Sequence, residues 1–124
     1  MLKISSKFYP VRVIAFTRNE TEMDITIENE GKEICWVEAD IALPEGLSLA
    51  SDRSLRNGRL RVGIIFPDES RTARCKIYAG SETYPSIYNI SIVGYAYGKD
   101  GMISGKSEAR ADLRCARIGE RQEL

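Results

Sequence analysis

The sequence predicts an all-β fold, an immunoglobulin-like sandwich of two antiparallel sheets with seven or eight strands. Three observations predict it. Short stretches of alternating apolar and polar residues recur between turn signals, which is typical of sandwiches and barrels. No stretch carries the apolar spacing and the caps of a helix. The chain has 124 residues, 43% of them hydrophobic and 29% charged, a size and composition typical of one globular domain.

The alternation places each strand in order. The third strand shows the pattern well, because Cys35, Val37 and Ala39 would lie on one face and Glu38 and Asp40 on the other. The fifth is expected to turn Leu60, Val62, Ile64 and Phe66 inward in the same way. The predicted strands cover residues 11–16, 22–28, 34–43, 47–49, 59–66, 72–79, 86–97 and 106–115.

We expect a single domain over residues 1–124, with a core at about 11–115 and frayed tails that include residues 120–124. Tyr88 stands at the start of the longest strand, where a tyrosine corner would bond its hydroxyl to backbone. No signal peptide and no membrane-spanning segment is recognisable, which favours a cytoplasmic location but leaves it open.

Five turn segments resemble the immunoglobulin-like modules of prokaryotic, especially archaeal, proteins, such as the CARDB type related to cell adhesion. They are residues 28–31 (ENEG), 43–47 (LPEGL), 66–70 (FPDES), 88–92 (YNISI) and 99–101 (KDG). Such modules bind, space or scaffold other molecules and share no catalytic residues. The resemblance therefore implies a structural or binding role.

The composition argues against most catalysis. The chain has no histidine, so a serine–histidine–aspartate triad and the commonest general base are absent. Cys35, Cys75 and Cys115 lie too far apart for a zinc motif and are predicted to be buried thiols, with one inter-strand disulfide as the alternative. We expect no catalytic residue, no cofactor and no metal; a calcium contact at Asp100 is a weaker alternative.

The outward faces carry the candidate site. If Cys35 and Ile90 point inward, Trp36 on one strand and Val93, Tyr95 and Tyr97 on its neighbour point outward. Arg110 and Arg114 of the last strand are expected beside them. Exposed tryptophan, tyrosine and arginine are enriched in binding hot spots. The hypothesis is a partner-binding surface; the alternative is that the chain's own loops cover it.

The predicted function is a non-catalytic protein-interaction or structural module that binds itself, as a homodimer, or a protein partner through this aromatic face. A carbohydrate- or cell-surface-associated module is an alternative, because aromatic rings stack on sugars. A nucleic-acid-associated role is a further alternative, through the loop between Arg53 and Arg61.

Residues 51–76 hold seven basic and three acidic residues, whereas residues 20–45 hold nine acidic and one basic. The formal net charge is zero, which disfavours bulk nucleic acid as a partner. The sequence points to no small-molecule substrate.

Overall fold

The computed structural model describes residues 1–119 and shows two β-sheets packed face to face. The all-β sandwich predicted from the sequence is confirmed, with nine strands in the described residues where seven or eight were expected. The strands are β1 (Leu2–Tyr9), β2 (Arg12–Ile14), β3 (Asn19–Asn29), β4 (Cys35–Ala42), β5 (Leu47–Ser48), β6 (Asn57–Ile65), β7 (Ser70–Ala79), β8 (Ser86–Tyr97) and β9 (Ile103–Ala116).

The strand order is that of an immunoglobulin-like sandwich. One sheet has the order β1-β3-β7-β5 and the other β2-β9-β8-β4-β6. The chain crosses between the sheets after every strand from β1 to β7, whereas β8 and β9 are neighbours within one sheet. One pair departs from the antiparallel arrangement, because β2 lies parallel to β9.

The alternation of the central strands builds the core. In β4, Cys35, Val37, Ala39 and Ile41 are buried, as expected from the pattern. The other long strands send their own alternate residues to the same layer. These buried side chains include Met23, Ile25, Ile27, Ile77, Ile90, Ile92, Leu113 and Cys115.

The core begins earlier in the chain than the predicted boundary at residue 11. Residues 2–9 form β1, which pairs with β3 along its whole length, from Leu2 opposite Asn29 to Tyr9 opposite Glu22. Leu2 is buried. Leu2 and Ile4 pack where Gly94 of β8 has no side chain, since a Cβ there would lie 3.1 Å from Ile4 Cδ1. The expected frayed tail at residues 120–124 lies outside the described residues.

The prediction that Ile64 and Phe66 point inward is wrong. Val37 pairs with Gly63 and Glu38 pairs with Arg61, so β6 holds one extra residue at this point. Gly63 has φ 115°, a conformation that favours glycine. Beyond this bulge the faces exchange, so that Ile65 is buried while Ile64 is 47% exposed and Phe66 53% exposed.

Tyr88 forms the predicted tyrosine corner. Its hydroxyl donates a hydrogen bond to the carbonyl oxygen of Tyr84, at 2.8 Å. The ring packs against the core and lies close to Gly46, where an added Cβ would be 3.3 Å from the ring. Burial raises the pKa of the Tyr88 hydroxyl above its ordinary value. The corner thus ties the start of β8 to the chain that enters it.

Tyr88→Phe should lower the free energy of unfolding by about 0.5–1.5 kcal/mol, the usual contribution of one such hydrogen bond. Urea unfolding followed by circular dichroism measures it. Tyr84→Phe is the control, because it removes an exposed hydroxyl but keeps the accepting carbonyl. Equal effects of the two substitutions would contradict the assignment.

Candidate functional site: the outer face of the five-stranded sheet

The outer face of the five-stranded sheet carries the residues singled out in β4 and β8. Trp36 lies opposite Tyr97, Glu38 opposite Tyr95, and Asp40 opposite Val93. Their neighbours Val37, Ala39, Ile92 and Ala96 are buried, which turns this set to the other side of the sheet. The register of β4 on β8 therefore brings Trp36, Val93, Tyr95 and Tyr97 together on one surface.

Four large side chains form an apolar row across the end of this face. The register aligns Ile64 of β6, Trp36 of β4, Tyr97 of β8 and Ile103 of β9. Trp36 is 38% exposed and Ile103 58% exposed. Neighbouring strands lie about 4.8 Å apart, so the row extends about 14 Å across the sheet. We call these four residues the aromatic row.

Charged side chains hold the surface next to the aromatic row in a fixed arrangement. The Trp36 indole Nε1 donates to Glu38 Oε2 at 3.0 Å. Arg59 donates from Nε and Nη2 to the two carboxylate oxygens of Asp40, at 2.6 and 3.0 Å, and from Nη1 to Glu38 at 3.2 Å. A bidentate arginine–carboxylate pair restricts both side chains. One arginine thus bridges two carboxylates beside the apolar row and offsets part of their charge.

Tyr95 lies next to the aromatic row with a cation near its ring. The Arg59 guanidinium carbon is 5.4 Å from the ring centroid, and Lys106 Nζ is 6.0 Å from it. Both distances suit an attraction between a cation and an aromatic face. The ring is therefore flanked by positive charge while it stays on the open side of the sheet.

The pairing with Arg59 changes the acidity of Asp40. The hydrogen bonds from Arg59 lower the pKa of the Asp40 carboxyl below its ordinary value, against a smaller opposing effect of burial. The same hydrogen bond raises the pKa of Arg59 above its ordinary value. Both groups are thus charged at neutral pH.

Arg110 and Arg114 share the face but lie far from the aromatic row. Arg110 is opposite Ser91 and Arg114 opposite Ile87, six and ten residues from Tyr97 along β8. At about 3.3 Å per residue these separations are about 20 and 33 Å. Arg110 donates to Asn89, which donates to Asp112. The expectation that both arginines lie beside Trp36, Val93, Tyr95 and Tyr97 is met only for Arg110. Its partner Ser91 is two residues from Val93 on the same face, whereas the partner of Arg114 is six residues from Val93.

Ile64 and Ile103 belong to this surface, but the sequence pattern did not predict either of them there. Strict alternation turns Ile64 inward, and only the bulge at Gly63 brings it out. A glycine inside a strand pattern was the available signal. Ile103 precedes the predicted start of the last strand, and a register shift beside Tyr97 sets its position.

The loop between Arg53 and Arg61, the candidate for nucleic acid, is partly neutralised. Arg53 pairs with Asp52 and Arg59 with Asp40. Arg53 and Arg56 also line an open cleft of about 610 Å³, which is lined as well by Arg18, Glu45 and Glu82. Acidic side chains are thus interspersed among the described arginines of this region, unlike the continuous basic surface that follows a phosphate backbone.

The three cysteines form no disulfide. Cys35 and Cys115 are buried, as predicted, whereas Cys75 is only half-buried. Burial raises the pKa of Cys75 to about 11, with a smaller contribution from Glu22. Among residues 1–119, no group of three or more histidine, cysteine, aspartate or glutamate side chains is placed to hold a metal ion. The same residues include no helix long and apolar enough to span a bilayer.

The sequence matches no protein-family model and no curated protein. The resemblance to CARDB-type modules therefore stays a prediction at the level of the family. Comparison with solved structures finds sandwich neighbours of low identity, among which three have a TM-score of 0.51.

The first is the sporulation control protein Spo0M from Bacillus subtilis, 12% identical, matched over 93% of this chain and 49% of that one. A non-cellulosomal cohesin from Archaeoglobus fulgidus is 12% identical, with 92% and 90% of the two chains covered. A family 123 glycoside hydrolase from Clostridium perfringens is 13% identical, and the match covers 95% of this chain but 28% of the enzyme. These likenesses support the fold alone.

Arg59→Ala should raise the pKa of Asp40 toward the ordinary aspartate value, because the carboxylate loses its hydrogen-bond donors. Carboxyl carbon chemical shifts, followed from pH 2 to 7, measure it. The pair stabilises the fold above the unfolded pKa of aspartate, and this contribution is lost as the pH falls through the lower folded pKa. The stability difference between the wild type and Arg59→Ala should shrink accordingly. Arg61→Ala, which breaks none of these hydrogen bonds, should leave the Asp40 titration unchanged.

Cys75 should react slowly with a disulfide reagent in the native protein. A pKa of about 11 instead of 9.0 lowers the thiolate fraction near pH 8 by about a hundredfold. Labelling at several pH values, with the modified peptide identified by mass spectrometry, compares the native with the denatured chain. Equal rates in the two states would show that Cys75 is not buried as described.

Proposed function

We propose that this chain is a non-catalytic protein-interaction module that associates through the outer face of its five-stranded sheet. The observation that carries the proposal is the aromatic row, an apolar line across four strands that no other strand of residues 1–119 covers. Contiguous exposed apolar surface of this kind marks interfaces. Its tryptophan and tyrosine are residue types that contribute strongly to binding.

The arrangement behind the aromatic row supports the proposal. Glu38 fixes the Trp36 indole, and Arg59 joins Glu38 to Asp40, so the surface is ordered before a partner arrives. A preformed surface loses less side-chain entropy on binding. Because these charges are already paired, an apolar partner surface would not leave them without counter-charges.

A second copy of the chain is the partner that we propose. In a two-fold arrangement each aromatic row would pack on the other, so that apolar atoms oppose apolar atoms. The row alone is small, and a stable interface of about 800 Å² on each partner must also include Tyr95, Val93 and their neighbours. The proposed dimer therefore buries most of the end of the five-stranded sheet's outer face that carries the aromatic row.

A non-catalytic role is part of the proposal, and the missing histidine supports it. The three structural neighbours carry different functions in their names: sporulation control, a cohesin and a glycoside hydrolase. Since one sandwich fold serves such different proteins, the function has to be argued from the surface.

Light scattering after size exclusion, in reducing buffer at about 10–500 μM protein, tests the proposal. We expect the wild type to form a dimer and Ile64→Glu to be a folded monomer, because the new charge would be buried without a partner. Trp36→Ala should weaken the dimer by tenfold or more, as removal of a central interface residue does.

Ile87→Glu is the matched control. Ile87 lies on the same sheet face and is 66% exposed, but it is ten residues from Tyr97 along β8. This variant should remain a dimer. A wild type that is monomeric throughout, or a dimer that Ile64→Glu leaves intact, would exclude the proposed self-interface.

A further inference from the structure

The four-stranded sheet ends on an incompletely paired strand. β3 pairs with β7 from Ser70 to Ala79, whereas β5 reaches only Tyr78 and Ala79. Alternate residues of a strand direct their backbone groups to the same side, so about four N–H and four C=O groups of residues 70–77 point away from β3. Within the part of the chain that the structure describes, no hydrogen bond reaches them. We call this side of residues 70–77 the open edge.

No strand of the other sheet pairs with the open edge, although β6 contacts β7. β6 is the last strand of that sheet and pairs only with β4. The Arg71 side chain reaches across to it, with Nη1 3.0 Å from the position that a Cβ on Gly63 would take. Ala73 and Cys75 pack against the core yet stay half-buried, since no strand lies beside them. A shallow apolar floor is therefore left next to unpaired backbone.

Charge alternates from strand to strand on the outer face of this sheet. Lys7 of β1, Asp24 of β3 and Arg74 of β7 are in register, and Arg74 Nε is 3.2 Å from Asp24 Oδ1. One step along, Lys76 Nζ is 3.2 Å from Glu20 Oε2. The order across the sheet is basic, acidic, basic. A further strand at the open edge would complement it with acidic residues, because opposite charges on neighbouring strands stabilise a sheet.

The same charges disfavour pairing with a second copy. Two open edges laid together would bring Arg71, Arg74 and Lys76 of one chain close to the same residues of the other. Like charges across a strand pair destabilise it, and basic residues on edge strands protect sheets from joining in this way. The occupant should therefore differ in charge from β7.

We propose that the open edge accepts an extended acidic segment of a partner protein as an added β-strand. Its backbone would bond to residues 70–77, and its acidic side chains would lie beside Thr72, Arg74 and Lys76. The alternate side chains would be apolar and would cover Ala73 and Cys75. Strand addition of this kind takes its affinity from main-chain hydrogen bonds and its specificity from alternate side chains. The site is separate from the aromatic row and does not depend on the proposed dimer.

A synthetic ten-residue peptide of alternating glutamate and valine, capped at both ends, is the probe. Hydrogen exchange with mass spectrometry on the full chain should show that amides within residues 70–77 become protected when the peptide is present. The same peptide with lysine in place of glutamate should give no protection. Binding without protection of these residues, or equal protection by both peptides, would overturn the proposal.

Peptides with methylated backbone nitrogens provide a second test of strand addition, and this test leaves the protein unchanged. A strand added at an edge bonds along one side only. N-methylation of one alternate set of residues should therefore abolish binding, and N-methylation of the other set should be tolerated. Equal effects of the two methylated peptides would contradict strand addition.

The variant Arg74→Ala/Lys76→Ala should weaken glutamate-peptide binding about tenfold, through the loss of two exposed charge contacts on the face that the glutamates would share. Lys3→Ala/Lys7→Ala is the matched control, since it removes the same charge from β1 at the opposite edge of the sheet. If the first variant does not fold, Lys76→Ala alone, which breaks only one exposed ion pair, takes its place. Equal weakening by the β1 and β7 variants would show general charge attraction and overturn the assignment.

Discussion

The antiparallel pairing of β4 with β8 is the constraint on which the rest of the structure depends. Its register, with Trp36 opposite Tyr97 and Ile41 opposite Ile92, decides both faces of the sheet at once. A shift by one residue would exchange these faces, because the side-chain period of a strand is two. The buried isoleucines therefore fix the orientation of the aromatic side chains: the core determines the surface.

Short strands with clear alternation were predictable from the sequence, and their faces followed from the pattern. Cys35, Val37 and Ala39 are buried and Trp36 is exposed because nothing interrupts the period in β4. β1 was missed because its alternation is imperfect: Ser6 interrupts the inward apolar series, and the aromatic Tyr9 stands on an outward position. Its burial comes from packing against Gly94 of another strand, which no local pattern encodes.

Features that depend on two strands at once were beyond the sequence. Ile64 joins the aromatic row through a bulge that is defined only by the pairing of β6 with β4. Arg110 and Arg114 were assigned to the right face, yet the face is long, and position along a strand needs a register. The open edge of β7 likewise exists because β5 pairs only with Tyr78 and Ala79, which no local pattern encodes. Alternation predicts which way a side chain points, whereas only pairing predicts what it meets.

The placement of β9 has a consequence for synthesis of the protein. β9 lies between β8 and β2, so a strand near the start of the chain completes its pairing only with residues 114–116. The pairs β1–β3 and β3–β7 need no residue beyond 79. On the ribosome, the four-stranded sheet can therefore assemble before β9, a central strand of the five-stranded sheet, has been synthesised. During that interval the inner face of the first sheet is exposed, and contacts between distant parts of a chain form slowly. A nascent chain of this kind depends on fast completion of translation or on a chaperone to cover that face.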